Sequence, residues 1–326
     1  MNLINNYQKF VVFGSRGMVG GAVCRVLKKN GYLNILTPTK KELNLQELSS
    51  VEDWFKFNKP EVVILSAAKV GGILANNNYP ADFILENLKI QTNVIEASWK
   101  NGVKKFLFLG SSCIYPKYAT QPLREEELLS GHLEATNQWY AIAKIAGIKL
   151  CEALNKQYGF NSICLMPTNL YGIGDNYDKN NSHVLASFIR RFCEAKLENK
   201  KEVICWGSGL PRREFLNVDD LAGACLFVLE NWDYCSYSSP KDINGELLPF
   251  LNVGTGKDIS IKELAILISE LVGFRGNIIW DDSKPDGTPK KLLNTSRINK
   301  MGWKPKINFK DGLINTIKVY KRDFLK

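Results

Sequence analysis

The feature that most constrains this chain is a glycine-spaced loop close to its start. An apolar run from Lys9 to Phe13 passes directly into Gly14-Ser15-Arg16-Gly17-Met18-Val19-Gly20. Apolar residues then recur at helical spacing from Met18 to Lys29. A buried strand, a tight glycine turn and an amphipathic helix in immediate succession open a strand–helix–strand unit. The glycines allow the sharp turn. They also let backbone N–H groups approach a diphosphate at the helix N-terminus, where the dipole favours negative charge. Such a turn is common on its own, so its weight depends on the segments downstream of it.

The rhythm continues. Leu33 to Leu36, Glu61 to Ser66, Lys105 to Leu109 and Ser162 to Met166 read as strands. Gln46 to Phe57, Pro80 to Lys100 and Thr136 to Tyr158 read as helices. That alternation predicts an α/β fold with a doubly wound parallel sheet and helices on both faces. Beyond about residue 168 the pattern loosens, punctuated by Gly172, Gly174, Pro211, Gly287 and Pro289. Val203 to Cys205 and Phe250 to Val253 look like strands, and Asp219 to Glu230 and Ile261 to Val272 like helices. The expectation is a dinucleotide-binding domain over 1–168, with returning segments at about 203–235, and a smaller α/β substrate domain over 169–326.

Composition narrows the partners. With 45% hydrophobic and 23% charged residues, the chain has an ordinary globular balance. No apolar run reaches the roughly 18 residues of a membrane span. The N-terminus lacks a basic segment and a cleavage site, so no export signal is expected. Eight cysteines without a C-x-x-C pair then read as free thiols of a cytoplasmic protein, with no metal site. The net charge of +10 is spread along the chain in basic clusters no longer than two residues. That spread argues against nucleic acid or a membrane as partner and favours small polyanions such as dinucleotides and nucleotide sugars.

The cofactor choice is set after the second strand. NAD enzymes place a carboxylate about 20 residues past the glycine loop to bind the ribose 2′-hydroxyl. Here the segment is Thr37-Pro38-Thr39-Lys40-Lys41, with no acid before Glu42. Lys40 attracts a 2′-phosphate that a carboxylate would repel, and Arg16 is placed to assist. NADP(H) is therefore predicted.

Tyr140-Ala-Ile-Ala-Lys144 puts a phenol and an ammonium on one helical face. A tyrosine with an ordinary pKa of about 10 is a poor acid at neutrality. A neighbouring cation is expected to lower that value. The phenol then gives a proton to a carbonyl oxygen as hydride reaches the carbon. Ser111, just after a strand, is positioned to hydrogen-bond the same carbonyl.

Glycine loop, Ser111, Tyr140 and Lys144 together resemble the extended short-chain dehydrogenase/reductase family. That family has a Rossmann-type domain followed by a nucleotide-sugar domain. Longer strings sharpen the likeness: Ala67–Ile73, Gly110–Lys117, Tyr140–Gly147, Met166–Gly172, Asn181–His183, Trp206–Gly209, Arg213–Leu216 and Lys284–Pro289. Over nearly the whole chain these resemble the GDP-L-fucose synthase family, which are GDP-4-keto-6-deoxy-D-mannose 3,5-epimerase/4-reductases. The resemblance implies a GDP-linked 4-keto sugar as substrate and two stages of reaction. Both carbons flanking the ketone are inverted by proton removal and return, and the C4 ketone is then reduced.

By that resemblance Cys113 and His183 are the extra acid/base pair, with Ser111, Tyr140 and Lys144 as the hydride apparatus. It places Asn44, Leu45, Ala67, Ala68, Lys144, Pro167, Asn169, Leu170 and His183 against the cofactor. It assigns Ser112, Asn169, Val184, Arg191, Trp206, Arg213, Asp286 and Lys291 to the nucleotide sugar. It further implies a homodimer paired through Pro80 to Lys100 and Thr136 to Tyr158. Two departures stand out: Ala135 and Trp139 replace prolines usual in the family, and Ile173 replaces another. Trp139 borders Tyr140, so an altered pocket is expected. A C4 reductase acting only on a GDP-4-keto-6-deoxy-heptose is the alternative. A 4,6-dehydratase is disfavoured because such enzymes carry an acidic pair just after the active-site Ser or Thr, where this chain has Ser112, Cys113 and Ile114, and the intact Ser111, Tyr140 and Lys144 argue against a non-catalytic NADP sensor.

Overall fold

A parallel sheet runs through the protein, and its inner strands are buried from end to end and almost wholly apolar because helices cover both faces. The computed structural model describes residues 2–179, 181–284 and 286–325, so Pro285 within the Lys284–Pro289 string lies outside the described residues. The first half comprises β1 (Phe10–Phe13), α1 (Met18–Lys29), β2 (Ile35–Leu36), α2 (Leu48–Asn58), β3 (Val62–Leu65) and α3 (Ile73–Asn78). It continues through α4 (Pro80–Lys100), β4 (Lys105–Leu109), α5 (Gln138–Tyr158) and β5 (Ser162–Pro167). The second half begins with β6 (Asn169–Tyr171), α6 (Val184–Leu197), β7 (Glu202–Trp206), β8 (Arg212–Asn217) and α7 (Val218–Asn231). It ends with β9 (Phe250–Val253), β10 (Asp258–Ser260), α8 (Ile261–Val272), β11 (Asn277–Asp281), β12 (Lys290–Lys291), α9 (Ser296–Lys300) and α10 (Phe309–Phe324).

The main sheet has the order β2-β1-β3-β4-β5-β9, parallel throughout. Side chains alternate between its faces. Phe10 and Val12 join the apolar layer under α1 and α7, whereas Val11 and Phe13 join the layer under α2, α4 and α5. Because β2 lies on one side of β1 and β3 on the other, the winding reverses beside β1. Ligands of such sheets bind at that reversal, beyond the carboxyl ends of the strands.

A third core gathers Leu185, Phe188, Phe192, Phe215, Leu264, Ile268 and Leu313 from α6, β8, α8 and α10. β8 is its spine, pairing with β6, β10 and β12. The expected return of 203–205 to the main sheet is corrected here. Those residues form β7, which among the described residues pairs only with β11, and the returning strand is β9. β7 alternates buried and exposed residues, the pattern of a strand with one wet face. A strand entering the main sheet would be apolar on both faces. No helix among the described residues is long and apolar enough to cross a membrane.

Candidate active site

The carboxyl ends of β1, β3, β4 and β5 open into one cleft of about 1720 Å³. That exceeds the roughly 300–1,000 Å³ of a single drug-sized ligand site. The cleft is large enough to take two chemically distinct ligands.

At one end the glycine loop packs against β3. Gly14 has φ +86°, and a Cβ there would lie 2.7 Å from the Ala67 backbone nitrogen. A Cβ on Gly20 would sit 2.2 Å from the Gly14 carbonyl oxygen, so the third residue of α1 has to be glycine. Ser66 holds the contact by donating its hydroxyl to the Phe13 carbonyl at 2.6 Å. Gly17 caps α1 without any side chain, leaving the N–H groups of the first turn directed outward. Ser15, Arg16, Met18, Val19, Lys40, Asn44, Leu45, Ala67 and Ala68 all line this end. Arg16 and Lys40 are exposed cations. Glu42 accepts the Thr39 amide at 2.7 Å, and that bond together with the charge of Arg16 holds its carboxyl below the usual range. The cradle fits a dinucleotide, and its charge fits one carrying an additional phosphate.

In the middle, β4 delivers Ser111 and α5 delivers Tyr140 and Lys144. The Lys144 ammonium is buried, donates to the Leu109 carbonyl at 2.8 Å, and lies 5.8 Å from the centre of the Tyr140 ring. Burial pushes that ammonium down to about 8. Burial also pushes the Tyr140 phenol well above its ordinary value, with the adjacent Cys113 adding to the rise and a hydrogen bond with Ser111 opposing it. The lowering of the phenol expected from Lys144 is thus corrected. Lys144 is committed to a carbonyl, and desolvation outweighs its charge. The phenol rests protonated, the form needed by a proton donor.

Cys113 follows Ser111 by one short turn, its amide donating to Ser111 Oγ at 3.2 Å. Lys291 Nζ approaches the Cys113 sulfur to 3.6 Å, and Asn137 Nδ2 to 3.5 Å. His183 caps α6, lines the same cleft, and is pushed below its ordinary value by burial and by the charge of Lys291. The charge of Lys291 thus acts on both groups assigned to proton transfer.

The far end is assembled from separate segments. Ser112, Pro167, Asn169, Leu170, Val184, Arg191, Trp206 and Arg213 all line the cleft. Arg213 and Lys291 are register partners on β8 and β12, so their side chains leave on one face. Arg191 and Arg213 are both lowered by burial, which makes each a poorly solvated cation. Asp286 lies beside the cleft, where its charge reaches Arg213, and its carboxylate accepts the amide and hydroxyl of Ser208 at 3.1 and 2.6 Å, fixing the turn after Trp206. The expected place of Trp139 in the pocket is corrected: it is 38% exposed and absent from the cleft wall. Adjacent residues on a helix face different directions, so it can follow Tyr140 in sequence and still point away.

Two residues escaped the sequence reading. Asn137 touches the Cys113 sulfur; its signal is an asparagine at a helix start. Glu214 is fully buried behind Arg213 and accepts the amides of Thr255, Gly256 and Leu293 at 2.5, 2.6 and 3.0 Å. Its backbone carbonyl receives Asn169 Nδ2 at 2.8 Å. The acid interrupting an apolar strand, Arg213-Glu214-Phe215-Leu216, is the signal that marks it.

A doubly wound sheet with a glycine cradle defines the class, a dinucleotide-dependent oxidoreductase. Residues 10–239 match the NAD dependent epimerase/dehydratase family, and the chain belongs to that family. It is 53% identical to a putative GDP-L-fucose synthase 2 of Arabidopsis thaliana, covering 98% of this chain and 93% of that protein. It is 50% identical to the GDP-L-fucose synthase of Escherichia coli K12, covering 95% of each. Among solved structures it is similar to a GDP-mannoheptose C4 reductase from Campylobacter jejuni with NADP bound. The TM-score is 0.88 and the identity 39%, over 98% of this chain and 99% of that one.

Proposed function

We propose that this protein converts GDP-4-keto-6-deoxy-D-mannose to GDP-L-fucose by 3,5-epimerisation followed by NADPH-dependent reduction of the C4 ketone. The observation that carries the reading is the convergence of Ser111, Cys113, Tyr140, Lys144, His183 and Lys291 on the cleft that holds the glycine loop. Bound NADPH supplies the hydride that C4 receives. Ser111 and Tyr140 hold the C4 oxygen, and that polarisation acidifies the hydrogens on C3 and C5. Cys113 and His183 remove and return those protons on opposite faces, which inverts both centres. Tyr140 then protonates the C4 oxygen, and the Lys144 charge steadies the phenolate left behind. Arg191 and Arg213 take the diphosphate, for which a guanidinium fork is suited. Lys40 and Arg16 take the 2′-phosphate of the cofactor.

The alternative, reduction alone on a heptose substrate, draws support from the 39% identical reductase. The synthases at 50–53% identity favour the first reading. Turnover in D₂O separates the two. The first reading predicts deuterium at C3 and C5 of the product, and its absence from both carbons would leave only the reductase. The reading also includes a homodimer formed through α4 and α5, whose exposed Leu85, Trp139 and Ile142 need a cover. Light scattering at twice the chain mass is the expected result. The eight free cysteines suit a reducing cytoplasm.

A further inference from the structure

We propose that Asn137 is a positioning residue for the epimerisation stage, a turning amide that serves Cys113 in both of its protonation states. The inference rests on the reading of Cys113 as a proton-transfer group, and it begins with what Asn137 fails to do. An asparagine at a helix start ordinarily accepts a backbone N–H of the first turn. Asn217 at the start of α7 does so, accepting the Asp219 amide, and Asn308 at the start of α10 accepts those of Lys310 and Asp311. Asn137, at the start of α5, makes no such bond.

Its Nδ2 is directed at the Cys113 sulfur, 3.5 Å away. Its Oδ1 is buried and has no hydrogen-bond partner. That unpaired end is the informative observation. Asn76 and Gln91 also leave an oxygen unpaired, but backbone carbonyls hold their nitrogens, and a carbonyl only accepts, so those amides cannot turn; two further buried amides have both ends engaged. Asn155 donates to the Ser162 carbonyl and accepts the Ser162 amide, and Asn252 donates to the Leu123 carbonyl and accepts the Tyr115 hydroxyl. Nothing grips the far end of Asn137, so half a turn of the amide exchanges the group facing the sulfur and leaves the far end equally unpaired.

Each orientation suits one state of the sulfur. With Nδ2 inward, the amide donates to a sulfur that has no proton, alongside the Lys291 ammonium at 3.6 Å. With Oδ1 inward, it accepts an S–H. Proton removal and return at the sugar require Cys113 to pass between these states. A partner able to follow keeps the sulfur aimed through both, without moving the backbone of α5.

Aspartate at this position has the same shape but only accepts and carries a negative charge, so Asn137→Asp withdraws the donor and opposes the deprotonated sulfur. Asn137→Ala removes both functions and leaves a gap. The first measurement needs no sugar. Alkylation of Cys113 by iodoacetamide is followed by peptide mass spectrometry across pH, with thermal melting as the check on folding. The proposal predicts that Asn137→Asp slows alkylation about tenfold near neutrality and moves its pH midpoint upward. The second measurement is deuterium wash-in from D₂O into the 4-keto sugar. Asn137→Asp is expected to lose at least as much as Asn137→Ala. If Asn137→Asp alkylates and exchanges like the parent while Asn137→Ala does not, the side chain only fills space and the proposal is overturned. Should Asn137→Asp melt early, an Asn137→Ala variant that folds and keeps the parental alkylation profile overturns it equally. Because the alkylation arm contains no sugar, its failure is distinguishable from failure of the substrate assignment.

Discussion

The two ends of the cleft are built in opposite ways. The cofactor end comes from consecutive strand ends in regular succession, and its critical contacts are backbone ones, such as Gly20 against Gly14. The sugar end draws Cys113, His183, Arg213 and Lys291 from distant segments, and buried polar side chains hold them in register. Glu214 ties the segments bearing Asn169, Arg213 and Lys291 together through amides and a carbonyl. Glu125 adds a second tie, accepting the Asn252 amide on β9 and pairing with Arg297. A parallel sheet supplies a diphosphate cradle almost automatically, whereas a specific sugar site has to be tied together by charge.

That contrast can be broken most forcefully at Glu214. Its two carboxylate oxygens accept three backbone amides, and an amide side chain can accept on only one atom. Glu214→Gln should therefore cost about 1–3 kcal/mol of stability and raise the KM for the nucleotide sugar, with the KM for NADPH little changed. Urea unfolding and steady-state kinetics read both. Equal effects on the two KM values would mean that the ends are not separately built.

A smaller effect is expected where the ends meet. The Lys144 ammonium sits at about 8, lowered by burial, so it is charged at neutrality and loses its proton as pH rises through that value. The hydride step needs the cation, so kcat should fall by about tenfold between pH 7 and pH 9. A rate flat across that range would remove Lys144 from the mechanism. Least disruptive is Lys40→Glu at the exposed rim of the cofactor end. It should raise the KM for NADPH by roughly tenfold, leaving the sugar KM in place, because a carboxylate repels the 2′-phosphate.

The same contrast explains what was legible in the sequence. Helical and strand periodicity located α1, α4, β4 and β9 to within a residue, since each buries a regular face in the main sheet. The glycine loop was readable because its chemistry is local. α6, β8 and α10 went unread as elements, although motifs within them were noticed. Their apolar faces make sense only against one another, in the third core. Glu214 and Asn137 were hidden for a related reason: what each does depends on partners far away in the chain. The pKa of Tyr140 was misjudged because spacing shows that Lys144 is near but not that its ammonium is bonded to Leu109. Trp139 was misplaced because sequence adjacency says nothing of direction around a helix.

The central claim is that the Tyr140 phenol delivers the proton that accompanies hydride to C4. Tyr140→Phe tests it most directly, assayed by NADPH oxidation with GDP-4-keto-6-deoxy-D-mannose. The account predicts a loss of at least about 100-fold in kcat, with deuterium wash-in at C3 and C5 still measurable. Oxidation at the parental rate would contradict it.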